Sequence, residues 1–160
     1  MIVIGYDGSA DAEAAINYAG DLFPGETALI CTVWEPFVDV MARSGAGLAA
    51  GFGDLDIVAL DAENEGAARA RADEGVERAS RAGLQAEARV RARGGTVAGA
   101  ILAEAEQANA RAIVLGTRGL TGIKSLLLGS VSHAVVQHAD RAVVIVPSAE
   151  LAEARERKRG

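Results

Sequence analysis

Three glycines and two serines at fixed spacing set the chemistry open to this chain. Gly116-Thr117-Arg118-Gly119 is followed, after nine intervening residues, by Gly129-Ser130-Val131-Ser132. An apolar, strand-like run precedes the first block, and a run of helical period follows the second. Glycine lets the backbone turn tightly and approach a ligand with no Cβ in the way. A helix that opens at Gly129-Ser130 would present unpaired backbone N–H groups, a hydroxyl and the positive end of its dipole at one point, which suits a phosphate group. The plainer alternative is that these glycines only build a long connection in a glycine-rich chain. Two standard phosphate loops do not match. A Walker loop needs Gly directly before Lys, but Ile123 separates Gly122 from Lys124; the dinucleotide fingerprint should follow the first strand, where the chain offers only Gly5 and Gly8.

Other reactive side chains form no constellation. Asp7, at the end of the first apolar run, reads as a ligand contact or as a turn and capping residue. Arg118 reads equally as a phosphate neighbour or a solvated loop charge. His133 and His138 are five apart on a helix, which does not stack two metal ligands on one face. The remaining carboxylates fall on helix faces as solvated charges, and no Ser, His and Asp set assembles. Cys31 lies in the apolar stretch 29–33 and reads as a buried packing residue.

The elements that must position these groups alternate. Short apolar runs at residues 2–6, 27–33, 111–116 and 142–146 read as buried strands. Residues 84–92 alternate Ala and Val with Gln, Glu and Arg, which predicts a half-buried edge strand. Between them run alanine-rich segments of helical period. Ser9 caps a helix whose stripe is Ala12, Ala15, Ile16, Ala19 and Leu22, ended by Pro24-Gly25. A long amphipathic helix over 56–82 carries Leu60, Ala68, Ala72, Val76 and Ala79 inward. Thr96 opens another, with Val97, Ile101, Ala105 and Ala108 inward, and the last begins near Gly129-Ser130. Residues 37–54, with Gly45, Gly47, Gly51 and Gly53, read as a mobile surface loop. Five strands and four helices under the right-handed crossover rule predict a single α/β domain, a doubly wound parallel sheet with helices on both faces.

Composition narrows the partners. The 160 residues fit one domain, since globular domains cluster at about 100–150 residues. Half the residues are hydrophobic and only 4% aromatic, so the core must be aliphatic layers. A net charge of −6 gives no general attraction for nucleic acid. One cysteine, no signal-like start and no apolar run of about 20 residues point to a cytoplasmic protein that does not cross a membrane.

The G-x-x-G-x(9)-G-S pattern, the opening Ile-Val-Ile-Gly-Tyr-Asp-Gly-Ser, and the closing His-Ala-Asp-Arg-Ala-Val-Val-Ile-Val-Pro together resemble the universal stress protein family, specifically its ATP-binding branch. The resemblance covers residues 1–147 and leaves 148–160 as a charged tail. It implies a Rossmann-like fold with strand order 3-2-1-4-5 and ATP, with Mg2+ as companion ion, as ligand. Asp7 and Gly5 would lie by the adenosine, and Val33 would meet the adenine edge through its backbone. Gly116, Thr117, Arg118 and Gly119 would border the ribose and phosphates, and Gly129, Ser130, Val131 and Ser132 would hold the phosphates. A homodimer through the last strand, Val143, Val144, Ile145 and Val146, is also implied. The role would be regulatory or protective binding rather than turnover; a slow ATPase and a nucleotide-independent dimer are the alternatives. Two positions depart from the family pattern: Ala12 replaces the second residue of a Ser-x-x-Ser, and Asp140-Arg141-Ala142 replaces a Pro-Cys-Pro-like turn.

Overall fold

The computed structural model describes residues 1–44, 56–117 and 128–157. Its strands are β1 (Ile2–Gly5), β2 (Thr27–Trp34), β3 (Gln85–Ala92), β4 (Ala112–Gly116) and β5 (Ala142–Val146). Its helices are α1 (Ala10–Leu22), α2 (Phe37–Ser44), α3 (Ile57–Arg81), α4 (Val97–Gln107), α5 (Ser130–His138) and α6 (Ala149–Arg157). All strand pairs are parallel, in the order β3-β2-β1-β4-β5. The chain winds outward from β1 to β3, then returns to β4 on the other side of β1. The β1/β4 boundary is therefore the switch point, where the connections leave to opposite faces and open a crevice beyond the strand ends.

Two aliphatic cores hold the layers together. On one face Ile2, Ile4, Tyr6, Ile30 and Val114 pack under Ala12, Ala15, Ile16, Ala19 and Ala79 of α1 and α3. On the other, Val3, Leu29, Cys31, Ile113 and Leu115 pack under Ala98, Ile101, Ala105 and Val135 of α4 and α5. Burying each Ile, Leu or Val side chain is worth about 1.5–3 kcal/mol, so β1 and β4, closed on both faces, anchor the switch point. Local caps agree with the sequence. Ser9 accepts from the Ala12 N–H, Asp56 from the Ala59 N–H and Thr96 from the Gly99 N–H, each satisfying a donor that the helix start leaves open.

Edge strand β3 is tied to α4 by charge rather than grease. Glu104 is 3% exposed yet meets Arg91, with Arg89 Nε at 3.5 Å. Two expectations need correction. Residues 37–44, expected as irregular loop, form α2; its first N–H donates to Asp61 Oδ1 on α3 at 2.7 Å. That contact joins segments far apart in sequence, so no local pattern carried it. Residues 45–54 of the expected loop lie outside the described residues. Leu22, expected inward, is 47% exposed at the end of α1. The described residues hold six helices: the four expected around the sheet, α2 in addition, and α6 in the charged tail, where a solvated helix is the reading of its mixed charges.

Candidate functional site

Two strand ends and one helix start build the crevice. Beyond β1, the Tyr6 N–H donates to the Cys31 carbonyl at 2.9 Å and the Thr32 hydroxyl donates to the Tyr6 carbonyl at 2.9 Å. The Tyr6 ring is buried, and its hydroxyl donates to Glu74 Oε1 of α3 at 3.1 Å. Burial, then the hydrogen bond to Glu74, push the Tyr6 phenol above its ordinary pKa, so it stays a neutral donor. With Tyr6 fixed, the chain turns sharply. Asp7 Oδ1 accepts from the Ser9 N–H at 3.0 Å, and Gly8 takes φ +81°, a left-handed conformation that favours glycine.

β4 ends against α1. A Cβ on Gly116 would lie 2.6 Å from the Asp11 carbonyl carbon and 2.8 Å from the Ala12 nitrogen, both backbone atoms. Glycine is thus what lets the first turn of α1 rest on the end of β4. A Cβ on Gly5 would lie 2.5 Å from Leu115 Cδ2, the far end of a flexible side chain. That contact can yield more readily than backbone.

The next residue ties the crevice shut at its base. The Thr117 N–H donates to the Val146 carbonyl at 2.9 Å, and the Thr117 carbonyl accepts from the Gly129 N–H at 2.8 Å. The Ser132 hydroxyl lies 2.8 Å from the same Thr117 carbonyl and 3.1 Å from the Gly129 carbonyl, so its single proton is shared within this knot. The two glycine blocks therefore meet across a sequence separation of fifteen residues. Gly129 is the N-cap of α5 and has no side chain to close it; the first intrahelical bond runs from the His133 N–H to the Gly129 carbonyl at 2.9 Å. The N–H groups of Ser130, Val131 and Ser132 consequently lack intrahelical acceptors. Such donors, with the positive end of the helix dipole, suit an anion.

Gly5, Asp7, Val33, Gly116 and Thr117 lie at the C-terminal ends of β1, β2 and β4, and Gly129, Ser130, Val131 and Ser132 at the start of α5. Val33 sits on the Cys31 face of β2, half-buried against the α4 and α5 core. Arg118 and Gly119 lie outside the described residues. The Ser132 hydroxyl, expected on a phosphate, is engaged in the knot, which leaves its N–H for a ligand. Sequence reasoning passed over Tyr6 and Asp11 as supports of the crevice; the signal was weak, since their contacts are tertiary. Cys31 is buried, and burial, with the charge of Glu104, pushes its thiol up to about 12. It is no nucleophile at neutral pH. Among the described residues no group of three or more His, Cys, Asp or Glu could hold a metal ion. The α5 amides without intrahelical acceptors and the buried Thr117 hydroxyl, which has no hydrogen-bond partner among the described residues, fit a phosphorylated ligand.

Comparison with known proteins places this architecture. The universal stress protein YxiE of Bacillus subtilis (strain 168) is 41% identical over 70 residues, a stretch spanning 44% of this chain and 46% of that protein. The fold matches hypothetical protein MJ0577, whose biochemical function was assigned from its structure, with a TM-score of 0.72 at 19% identity over 91% of this chain and 94% of that one. It also matches a universal stress protein solved in complex with cAMP, with a TM-score of 0.59 at 25% identity over 92% and 96% of the two chains. The family model for universal stress proteins spans residues 1–147. The chain belongs to the universal stress protein family.

Proposed function

We propose that this protein binds an adenine nucleotide, with ATP as its full ligand, in the crevice between the end of β1 and the start of α5. The observation that carries the reading is the knot at Thr117. It brings a strand end and an uncapped helix start together, so that three backbone N–H groups serve one anionic group. Family membership and the cAMP complex of a relative support adenine as the base. In this reading Asp7 and Gly5 flank the adenosine and Val33 borders the base. Gly116, Thr117, Arg118 and Gly119 border the ribose and phosphates, and Gly129, Ser130, Val131 and Ser132 seat the phosphates.

The protein acts as a regulatory or protective binding protein of the stress response, in the cytoplasm, rather than as an efficient enzyme. Phosphoryl transfer needs metal-held phosphates and an oriented nucleophile. Asp7, the carboxylate at the crevice mouth, already holds the turn through Oδ1. Residues 1–147 form the binding domain, and 148–160 are an appended charged tail. The protomers pair through β5, an edge strand whose Val143, Val144 and Ile145 are only half-buried. Calorimetric titration with ATP, AMP, cAMP and GTP, each with and without Mg2+, tests the ligand. Adenine nucleotides bind and GTP does not; equal binding of GTP, or none of ATP, contradicts the reading. Phosphate release faster than about 1 s⁻¹, an ordinary enzymatic turnover, would move the protein to the ATPase class.

A further inference from the structure

Helix α3 leaves one cation unpaired beside the crevice. Its Arg78 pairs with Glu13 at 2.9 Å, its Arg81 Nε donates to the Glu77 carbonyl at 3.2 Å, and its Arg69 stands exposed. Arg71 is half-buried, yet among the described residues it makes no ion pair and no side-chain hydrogen bond. Its stem lies on the turn after β1: a Cβ on Gly8 would meet Arg71 Cδ at 3.6 Å and Nε at 3.7 Å. Covering a turn in this way is what long cationic side chains do with their methylenes, and it leaves the charged tip beyond the contact.

The path of α3 gives the direction of that tip. The helix runs from the C-terminal end of β2 toward the start of β3, antiparallel to the strands. A Cβ on Gly75 would lie 2.7 Å from Ile30 Cγ2 and 2.9 Å from Tyr6 Cδ1, so this point of α3 rests on the end of β1. Arg71 comes one turn earlier, about 6 Å nearer the crevice, which matches the advance of the chain from Tyr6 to Gly8. Helical side chains lean toward the helix N-terminus, here the crevice end. The guanidinium therefore stands at the crevice mouth on the α1 and α3 side of the sheet, whereas α5 starts on the other side.

A nucleoside lying between these two walls has two edges to offer them. With the 5′ phosphates directed to the α5 amides, the 2′ and 3′ oxygens, across the ribose ring, face Asp7, Gly8 and Arg71. Asp7 Oδ1 holds the turn by accepting from the Ser9 N–H. A planar guanidinium matches a phosphate bidentately, and an arginine beside a ribose edge is the way dinucleotide sites accommodate a 2′-phosphate. We infer, resting on the nucleotide reading of the crevice, that Arg71 binds a phosphate on the 2′,3′ edge of the ribose, so that the site takes adenine nucleotides phosphorylated at both edges of the sugar.

The experiment titrates the full chain with ADP, adenosine 3′,5′-bisphosphate and adenosine 2′,5′-bisphosphate, isomers that differ only in where the second phosphate sits. The parent binds one of the bisphosphates about tenfold more tightly than ADP, the worth of a hydrogen bond between charged groups. Arg71→Gln, which keeps a stem over Gly8 and removes the charge, loses that preference and binds ADP within about threefold of the parent. A stem that only covers the turn would instead lower the melting temperature or weaken all three ligands alike. Bisphosphates that never outbind ADP in the parent, a preference that survives Arg71→Gln, or an equal loss for ADP and bisphosphate overturns the inference and leaves the nucleotide reading standing. If the parent binds none of the three and no ATP, the nucleotide reading falls and this inference falls with it.

Discussion

Ser130 stands at the first helical position of α5, exposed, next to an N-cap that contributes no side-chain bond. An aspartate there complements the helix dipole and should leave folding unchanged or improved by about 0.3–1 kcal/mol. The same carboxylate would repel a phosphate seated on the neighbouring amides. Ser130→Asp is therefore expected to lower ATP affinity more than tenfold with no loss of melting temperature, read by titration and calorimetric scanning of one preparation. Unchanged affinity would remove α5 from the site. At this scale the sequence was partly legible. Glycine spacing singled out the end of β4 and the start of α5, which the structure brings into hydrogen-bonding contact, because glycines are chosen for local backbone freedom. That the Ser132 hydroxyl serves the Thr117 carbonyl is a fact of packing across fifteen residues of chain. No local pattern encodes it.

Between elements, contact distances decide. Gly116→Ala drives a Cβ into the backbone of α1, and neither β4 nor the first turn of α1 can yield cheaply. The expected loss is about 1–3 kcal/mol in urea unfolding, as for an overpacked core. Gly5→Ala should cost less, since it meets the end of the Leu115 side chain. Equal stability of the two variants would contradict this account of how α1 seats on β4. It follows that a Gly116 variant reports on folding as well as on ligand, and is a poorer probe of the site than Ser130→Asp.

The helices with local caps at Ser9, Asp56 and Thr96 were readable, because each cap bond closes within three residues. Helix α2 was not. Its start is held by Asp61, and Glu35 beside it bridges Arg43 of α2 and Arg93 beyond β3. The Asp140-Arg141-Ala142 turn was legible only as a departure from the family pattern. The structure supplies its substitute: Arg141 donates from Nη1 to the Ala105 and Ala110 carbonyls at 2.6 and 2.8 Å, while Asp140 holds its Nε at 2.7 Å. The guanidinium thereby satisfies carbonyls at the end of α4 and fixes the entry to β5.

For the whole molecule, alternating periods were enough to give a parallel sheet wound on both faces, and the resemblance supplied the strand order, which the structure shows. The proposed pairing of protomers rests on what that order leaves open at β5. Gly20 faces Ala82 beyond α3, and Glu13 pairs with Arg78 of α3 at 2.9 Å, so that side of α1 looks inward along the layer. At about 100° per residue, Tyr18 and Leu22 fall on the opposite side, toward β5, and are 52% and 47% exposed. An apolar pair beside an open sheet edge suits a second copy of the chain.

Sedimentation at micromolar concentration should show a dimer, and Tyr18→Arg with Leu22→Arg should shift it to monomer with ATP binding intact. A monomeric parent would contradict the pairing, and a double variant that remains dimeric would remove α1 from the interface. The proposed function stands or falls with what the crevice binds. Native mass spectrometry of the freshly purified chain reads that directly. A protomer carrying the added mass of ATP or AMP, lost on Ser130→Asp, is the expected result. Protomers of bare polypeptide mass that stay bare after incubation with excess ATP and Mg2+ would contradict it.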